Sequence, residues 1–275
     1  MQLLHGYMPP RAYSPEKRRN HLSIYRRDPR AAIGTRQVMS TPQKVAVITG
    51  ASQGIGAALV KAYRDADYRV VANSRSIKAN GDPGVLAVAG DIADPEVAQR
   101  VVATAVERFG RIDTLVNNAG VFTPKPFTAF TPQDWQTNIG VNLSGFFNAT
   151  QAAIRQMEAQ GSGHVVQIST SLVDQPINGV PSALASLTKG GLNAVTRSLA
   201  IEYAGRGIRV NAVSLGIFKT PMHAPESHAT LAVLHPLGRI GEVEEAVQGV
   251  LYLENAAFVT GEILHVDGGQ SAGHW

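Results

Sequence analysis

Eight residues, Thr49-Gly50-Ala51-Ser52-Gln53-Gly54-Ile55-Gly56, separate the apolar run Val45-Ala46-Val47-Ile48 from the helix-like Ala57-Ala58-Leu59-Val60-Lys61-Ala62-Tyr63. Three glycines therefore sit in one strand-to-helix turn. Lacking side chains, Gly50, Gly54 and Gly56 let the backbone bend sharply and come close to a pyrophosphate, while the free N–H groups and positive dipole end of the following helix face the anion. Ser52, Gln53 and Ile55 complete the turn. An ordinary tight turn is the competing reading; the strand before it, the helix after it and the features downstream favour a dinucleotide site.

Past residue 44, β-type runs alternate with helical segments. Strands are expected over 45–49, 69–73, 85–89, 114–117, 164–169, 209–214 and 263–266, and helices over 54–65, 95–109, 134–160, 185–204 and 243–253. This alternation belongs to a parallel sheet with helices on both faces, and the strands are continuous apolar runs, as required when both sheet faces are covered. At 275 residues and 44% hydrophobic content, the chain can bury one large core. The expected fold class is α/β, a Rossmann-like doubly wound parallel sheet of about seven strands, with a single domain over residues 39–275.

The formal charge of +4 is unevenly spread. Residues 1–38 hold eight Lys and Arg against Glu16 and Asp28, so this arm carries +6 and the remainder carries −2. Its prolines and weak periodicity predict a poorly ordered segment. Three readings stand: an over-extended gene start ahead of Met39, an organelle transit peptide, or a nucleic-acid-binding tail, with nucleic acid the least favoured partner. The absence of cysteine excludes disulfides, thiolate metal sites and a cysteine nucleophile, and agrees with a cytoplasmic location. Eight histidines lie scattered without helical ligand spacing, so no metal is expected. The charge-free stretch over 135–154 carries five Asn and Gln, too many amides for a membrane span, and reads as a helix buried on most sides.

Twenty positions past Gly54, at the tip of the second strand, stands Asn73-Ser74-Arg75-Ser76. An acidic residue there would bond the ribose 2′-hydroxyl of NAD and repel a 2′-phosphate; Ser74 and Arg75 instead predict NADP(H) as cofactor. Farther on come Gly90-Asp91-Ile92, Asn117-Asn118-Ala119-Gly120, Val141-Asn142-Leu143-Ser144-Gly145, Ile168-Ser169-Thr170-Ser171, a long helix opened by Lys189, and His265-Val266-Asp267-Gly268-Gly269. With the glycine turn, these resemble the short-chain dehydrogenase/reductase family in its compact single-domain form, over about residues 43–275.

The resemblance implies roles for matched positions. Asp91 and Ile92 border the adenine, and Asn118, Ala119 and Gly120 follow Asn117 in an element that steadies the sheet beside the cofactor. Asn142 kinks a helix and holds a water in a proton relay, with burial against loop carbonyls as the alternative. Lys189 bonds the nicotinamide ribose and lowers the pKa of a tyrosine acid, and Gly216, Ile217 and Thr220 touch the nicotinamide amide, although Leu215 replaces the usual proline. The resemblance fails at one position. The family's acid–base tyrosine stands four residues before the lysine, where this chain has Ala185, and none of its seven tyrosines falls nearby. Thr170 or Ser171 takes the place of the partner hydroxyl.

The expected function is an NADP(H)-dependent oxidoreductase acting on a small carbonyl, alcohol or activated alkene; the alternative is a non-catalytic NADP(H)-binding sensor or partner subunit. Residues 218–238, with Met222, Pro225 and Leu231, should form a mobile lid, and Phe122, Leu172 and Val173 an apolar pocket. Asp174 and His223 read as a relay or, more simply, as solvated loop residues. The low polarity of 135–154 and of 190–195 predicts a subunit interface, and the resemblance implies a homodimer or homotetramer.

Overall fold

The computed structural model describes residues 42–273, so the arm over 1–38 lies outside the described residues. Seven parallel strands form one sheet in the order β3-β2-β1-β4-β5-β6-β7. They are β1 (Val45–Thr49), β2 (Arg69–Ser74), β3 (Val85–Ala89), β4 (Thr114–Asn117), β5 (Gly163–Thr170), β6 (Ile208–Leu215) and β7 (Ile263–Val266). The helices are α1 (Gly54–Asp65), α2 (Pro95–Phe109), α3 (Pro132–Ile139), α4 (Gly145–Gln160), α5 (Ala183–Tyr203), α6 (His228–Ala232) and α7 (Val243–Asn255).

Strand alternation divides the apolar residues between two cores. Val45 and Val47 point to one side, with Val101 of α2, Ala153 of α4 and Ala200 of α5. Ala46 and Ile48 point to the other, with Leu59 of α1 and Val250 of α7. All five residues of β1 are therefore buried, and its sequence shows no polar alternation. Local chemistry sets the helix ends. Asp94 accepts a hydrogen bond from the Glu96 N–H ahead of Pro95, and α2 stops at Gly110 in the left-handed region (φ 79°).

Three helix expectations change. The single helix over 134–160 is interrupted by a π turn, Gly140–Ser144, between α3 and α4. There the Asn142 side chain is drawn into the loop after β4, accepting from the Val121 N–H (2.9 Å) and donating to the Val121 carbonyl (3.1 Å). These tertiary bonds favour the wider turn at that point. Nor is the charge-free stretch buried on most sides, since Trp135 and Phe147 are about half exposed. Lys189 does not open its helix; α5 starts at Ala183, which places Ala185 and Lys189 one turn apart on the same face. Among the described residues, no helix is long and apolar enough to cross a membrane.

Candidate active site

A cleft of about 1120 Å³ runs along the C-terminal edge of the sheet, lined at one end by the glycine turn and at the other by the loops after β5 and β6. Gly50 and Gly54 adopt left-handed φ values of 66° and 52°, which other residues take up only under strain. A Cβ on Gly56 would lie 2.2 Å from the Gly50 carbonyl oxygen, so only glycine lets the helix start this close to the strand. The first turn of α1 has no acidic residue and no side-chain cap. Its free N–H groups and dipole are thus left for an anion.

The loop after β4 braces this turn. Asn118 Nδ2 donates to the carbonyls of Thr49 (2.9 Å) and Gly50 (3.1 Å), while Thr49 Oγ1 accepts from the N–H groups of Asn118 and Ala119. At the tip of β2 the Ser74 hydroxyl is buried without a partner, and Arg75 is exposed at the cleft edge. Asp91 accepts from the Ala93 N–H (3.0 Å) beside buried Ile92. A glycine cradle, an open helix N-terminus and an orphan hydroxyl fit a phosphate-bearing dinucleotide. Ser52, Gln53, Ile55, Gly120, Gly216, Ile217 and Thr220 line the same cleft.

At the opposite end, Lys189 Nζ donates to the Ile168 carbonyl (2.8 Å) and abuts Gly120, whose added Cβ would be 3.0 Å away. Desolvation pushes the ammonium pKa down to about 8. Such an amine can exchange a proton near neutrality, which an ordinary lysine does poorly. Ala185, one turn earlier, lines the cleft with only a methyl group. None of the four tyrosines among the described residues lines it: Tyr63 and Tyr68 bond Glu254, Tyr203 ends α5, and Tyr252 lies exposed on α7.

The hydroxyls after Ile168 separate into three roles. Thr170 lines the cleft, its Oγ1 accepting weakly from the Leu172 N–H (3.4 Å). Ser171 does not line it; fully buried, it donates to the Leu215 carbonyl (3.2 Å) because the chain curls into a 3₁₀ turn, Ser171–Val173. Ser169, absent from the expected site residues, lines the cleft with a buried hydroxyl that has no partner. The Asn142 carboxamide bonds Val121 and Thr188 (3.1 Å) instead of facing the cleft. Its side chain thus ties the loop after β4 to α5.

A family profile described as enoyl-(acyl carrier protein) reductase matches residues 50–271. The 3-oxoacyl-[acyl-carrier-protein] reductase FabG of Thermotoga maritima is 36% identical over 241 residues, covering 82% of this chain and 97% of that one. The chain belongs to the short-chain dehydrogenase/reductase family. Among solved family structures, ElxO with NADP bound is 27% identical with a TM-score of 0.78, covering 84% of this chain and 100% of the other. The 3-ketoacyl-(acyl-carrier-protein) reductase of Brucella melitensis complexed with NADH is 29% identical with a TM-score of 0.77, covering 83% and 98%.

In this short-chain dehydrogenase/reductase, the segment over 218–238, expected as a lid, contains a helix that the sequence did not signal, α6, only five residues long. Thr220 sits over the glycine turn, 3.4 Å from where a Cβ on Gly54 would be. Met222, His223 and Leu231 line the cleft, joined by Phe122, Leu172, Val180 and Pro181. Val173 and Pro225 do not line it. The Asp174–His223 relay does not form. Asp174 pairs with His265 (3.0 Å), and His223 Nδ1 faces the Phe218 carbonyl (3.2 Å).

Proposed function

We propose that this short-chain dehydrogenase/reductase is an NADP(H)-dependent oxidoreductase that moves hydride between the nicotinamide and a small carbonyl or alcohol, or an activated alkene. In this reading Ala185 stands where the family's tyrosine acid would be. The observation that carries the cofactor choice is the tip of β2, where a partnerless buried hydroxyl, Ser74, adjoins exposed Arg75 without a carboxylate. A guanidinium favours the 2′-phosphate that an acidic side chain would repel.

The dinucleotide supplies or takes the hydride when bound. The glycine turn and α1 N-terminus hold its pyrophosphate, Asp91 and Ile92 flank the adenine, and Lys189 holds the nicotinamide ribose. Thr170 orients the substrate oxygen. Lys189, with its lowered pKa, exchanges the proton through solvent, because the Asn142 carboxamide is already committed to Val121 and Thr188. The apolar lining formed by Phe122, Leu172, Val180, Met222 and Leu231 suits a small hydrophobic substrate. Loss of a positioned phenol removes a contribution of roughly 10² to 10⁴ in rate, which turnover of an activated substrate can tolerate.

Ala185 motivates a second reading, a protein that binds NADP(H) and turns nothing over. Calorimetry with NADPH and NADH, followed by NADPH oxidation against carbonyls and enones, separates these outcomes. Tight NADPH binding with steady turnover supports the oxidoreductase, and tight binding without turnover supports the sensor. Equal or NADH-favouring affinities refute the cofactor assignment. The exposed Phe147 of α4 and Leu187 of α5 support assembly as a homodimer or homotetramer. A stable monomer in sedimentation at micromolar concentration would contradict that assembly.

A further inference from the structure

His235 is almost fully buried just beyond α6, at 3% exposure, although it is a loop residue with an ionisable ring. Its Nε2 accepts a hydrogen bond from the Ile217 N–H (3.0 Å). Its backbone N–H donates to the carbonyl of Ala232, the last residue of α6 (3.1 Å), while its Nδ1 is buried without a hydrogen-bond partner. The ring thus lies between the last turn of the lid and the backbone at the cleft floor. An Nε2 that accepts requires the ring proton on Nδ1, so the Ile217 contact selects one neutral tautomer.

The fit is close. A Cβ on Gly216 would lie 2.8 Å from His235 Nε2 and 2.9 Å from the Asp267 Cα. The Ile217 carbonyl accepts from the Gly241 N–H (2.8 Å), and the Gly216 N–H donates to the Val266 carbonyl (3.1 Å). Within Gly216 and Ile217, the Ile217 N–H is therefore the group whose partner is a side chain. We infer that His235 is a positioning residue that ties the end of the lid helix to the Gly216 and Ile217 backbone, making the lid and the nicotinamide seat one hydrogen-bonded unit. Only the term nicotinamide seat rests on the NADP(H) reading above.

A protonated ring would set a second N–H against the Ile217 N–H, so the lock exists only while His235 is neutral. Burial lowers the His235 pKa below the ordinary histidine value, and the Asp267 carboxylate opposes this. Asp267 is itself occupied by the N–H groups of Gly269 and Ser271 and by the Ser271 hydroxyl. His265, Arg239 and Glu245 line the small adjoining cavity. The lock is thus intact at neutral pH and opens below the ordinary histidine value.

The test uses the free full-length protein with 15N-labelled isoleucine, reading amide exchange at Ile217. Exchange should quicken about tenfold in His235→Phe, as expected for one lost buried hydrogen bond, and stay near wild type in His235→Gln, whose carbonyl can accept. NADPH dissociation constants should follow the same order. In the wild type, Ile217 protection should fall as the pH drops below the normal histidine value, and this acid limb should vanish in His235→Gln. If the phenylalanine variant does not fold, the wild-type pH series and the glutamine variant still decide. Unchanged Ile217 exchange in His235→Phe, or a wild-type exchange rate free of any histidine limb, overturns the inference. Absence of NADPH binding to the wild type would sink the cofactor reading and leave the exchange result to judge His235.

Discussion

The two ends of the parallel sheet treat buried polar groups in opposite ways. At the start of the strands, Glu254 of α7 accepts from Tyr63 (3.2 Å), Tyr68 (2.9 Å), Thr114 (2.9 Å) and His164 Nδ1 (2.9 Å). Arg209 closes the end of the same helix through the carbonyls of Leu253, Glu254, Ala256 and Val259. At the finish of the strands, Ser74 and Ser169 have hydroxyls with no partner, and Lys189 has one carbonyl. A saturated buried network holds the fold, whereas unsatisfied groups beside a cavity are a reserve of binding free energy. The saturated network and the unpartnered groups thus lie at opposite edges of one sheet.

The largest expected effect breaks the saturated end. Glu254→Ala leaves four buried donors without their acceptor and should lower stability by several kcal/mol, at roughly 1 to 3 kcal/mol for each unsatisfied buried group. Urea unfolding would measure it. NADPH affinity of the remaining folded protein should hardly change, and a comparable loss of affinity would show the two ends to be coupled.

At the other edge, Ala185→Tyr places a phenol one turn from Lys189 and should raise carbonyl reduction by about 10²-fold or more. Steady-state kinetics would read the gain. A folded, NADPH-bound variant without it would count against the alignment of Ala185 with the family's acid. Arg75→Asp exchanges the guanidinium at the tip of β2 for a carboxylate. NADPH binding should weaken by about 1.5 to 3 kcal/mol, the range of a hydrogen bond to a charged group, while NADH binding holds or improves. Calorimetry on both nucleotides checks the difference.

A further effect is a pH limb. His164 Nε2 accepts from Asn211 Nδ2, so the ring is neutral and donates Nδ1–H to Glu254; burial holds its pKa below the ordinary histidine value. Despite desolvation, the surrounding donors hold the Glu254 pKa down at about 2. A folded-state pKa below the unfolded one contributes stability that is present above the unfolded carboxylate value and disappears as pH falls through about 2. Wild-type stability should therefore decline from about pH 5 downward, and Glu254→Gln should flatten that decline. Identical acid limbs in both proteins would remove Glu254 from the account.

Much of this architecture was legible in the chain. The strands expected over 45–49, 85–89, 114–117 and 263–266 have the bounds of β1, β3, β4 and β7, because an apolar run covered on two faces ends sharply at polar loops. The glycine turn and the position of Ser74 and Arg75 at the tip of β2 could be read because they depend on local sequence. The split of α3 from α4 could not, since the π turn answers bonds between Asn142 and a loop twenty-one residues earlier. Nor could the sequence separate Thr170 from Ser171: a 3₁₀ turn one residue past the strand sends one hydroxyl to the cleft and the other to Leu215.

By itself, the sequence determined the order of strands and helices, the anion-ready start of α1, and the presence of alanine rather than tyrosine one turn before Lys189. Those features depend on neighbours within a few residues. The tertiary structure alone decided that Glu254 gathers Tyr63 from 191 residues away and His164 from 90, and that His235 meets Ile217 across 18. Such partners are chosen by which buried polar groups packing brings within bonding distance, a condition that no local spacing in the chain encodes.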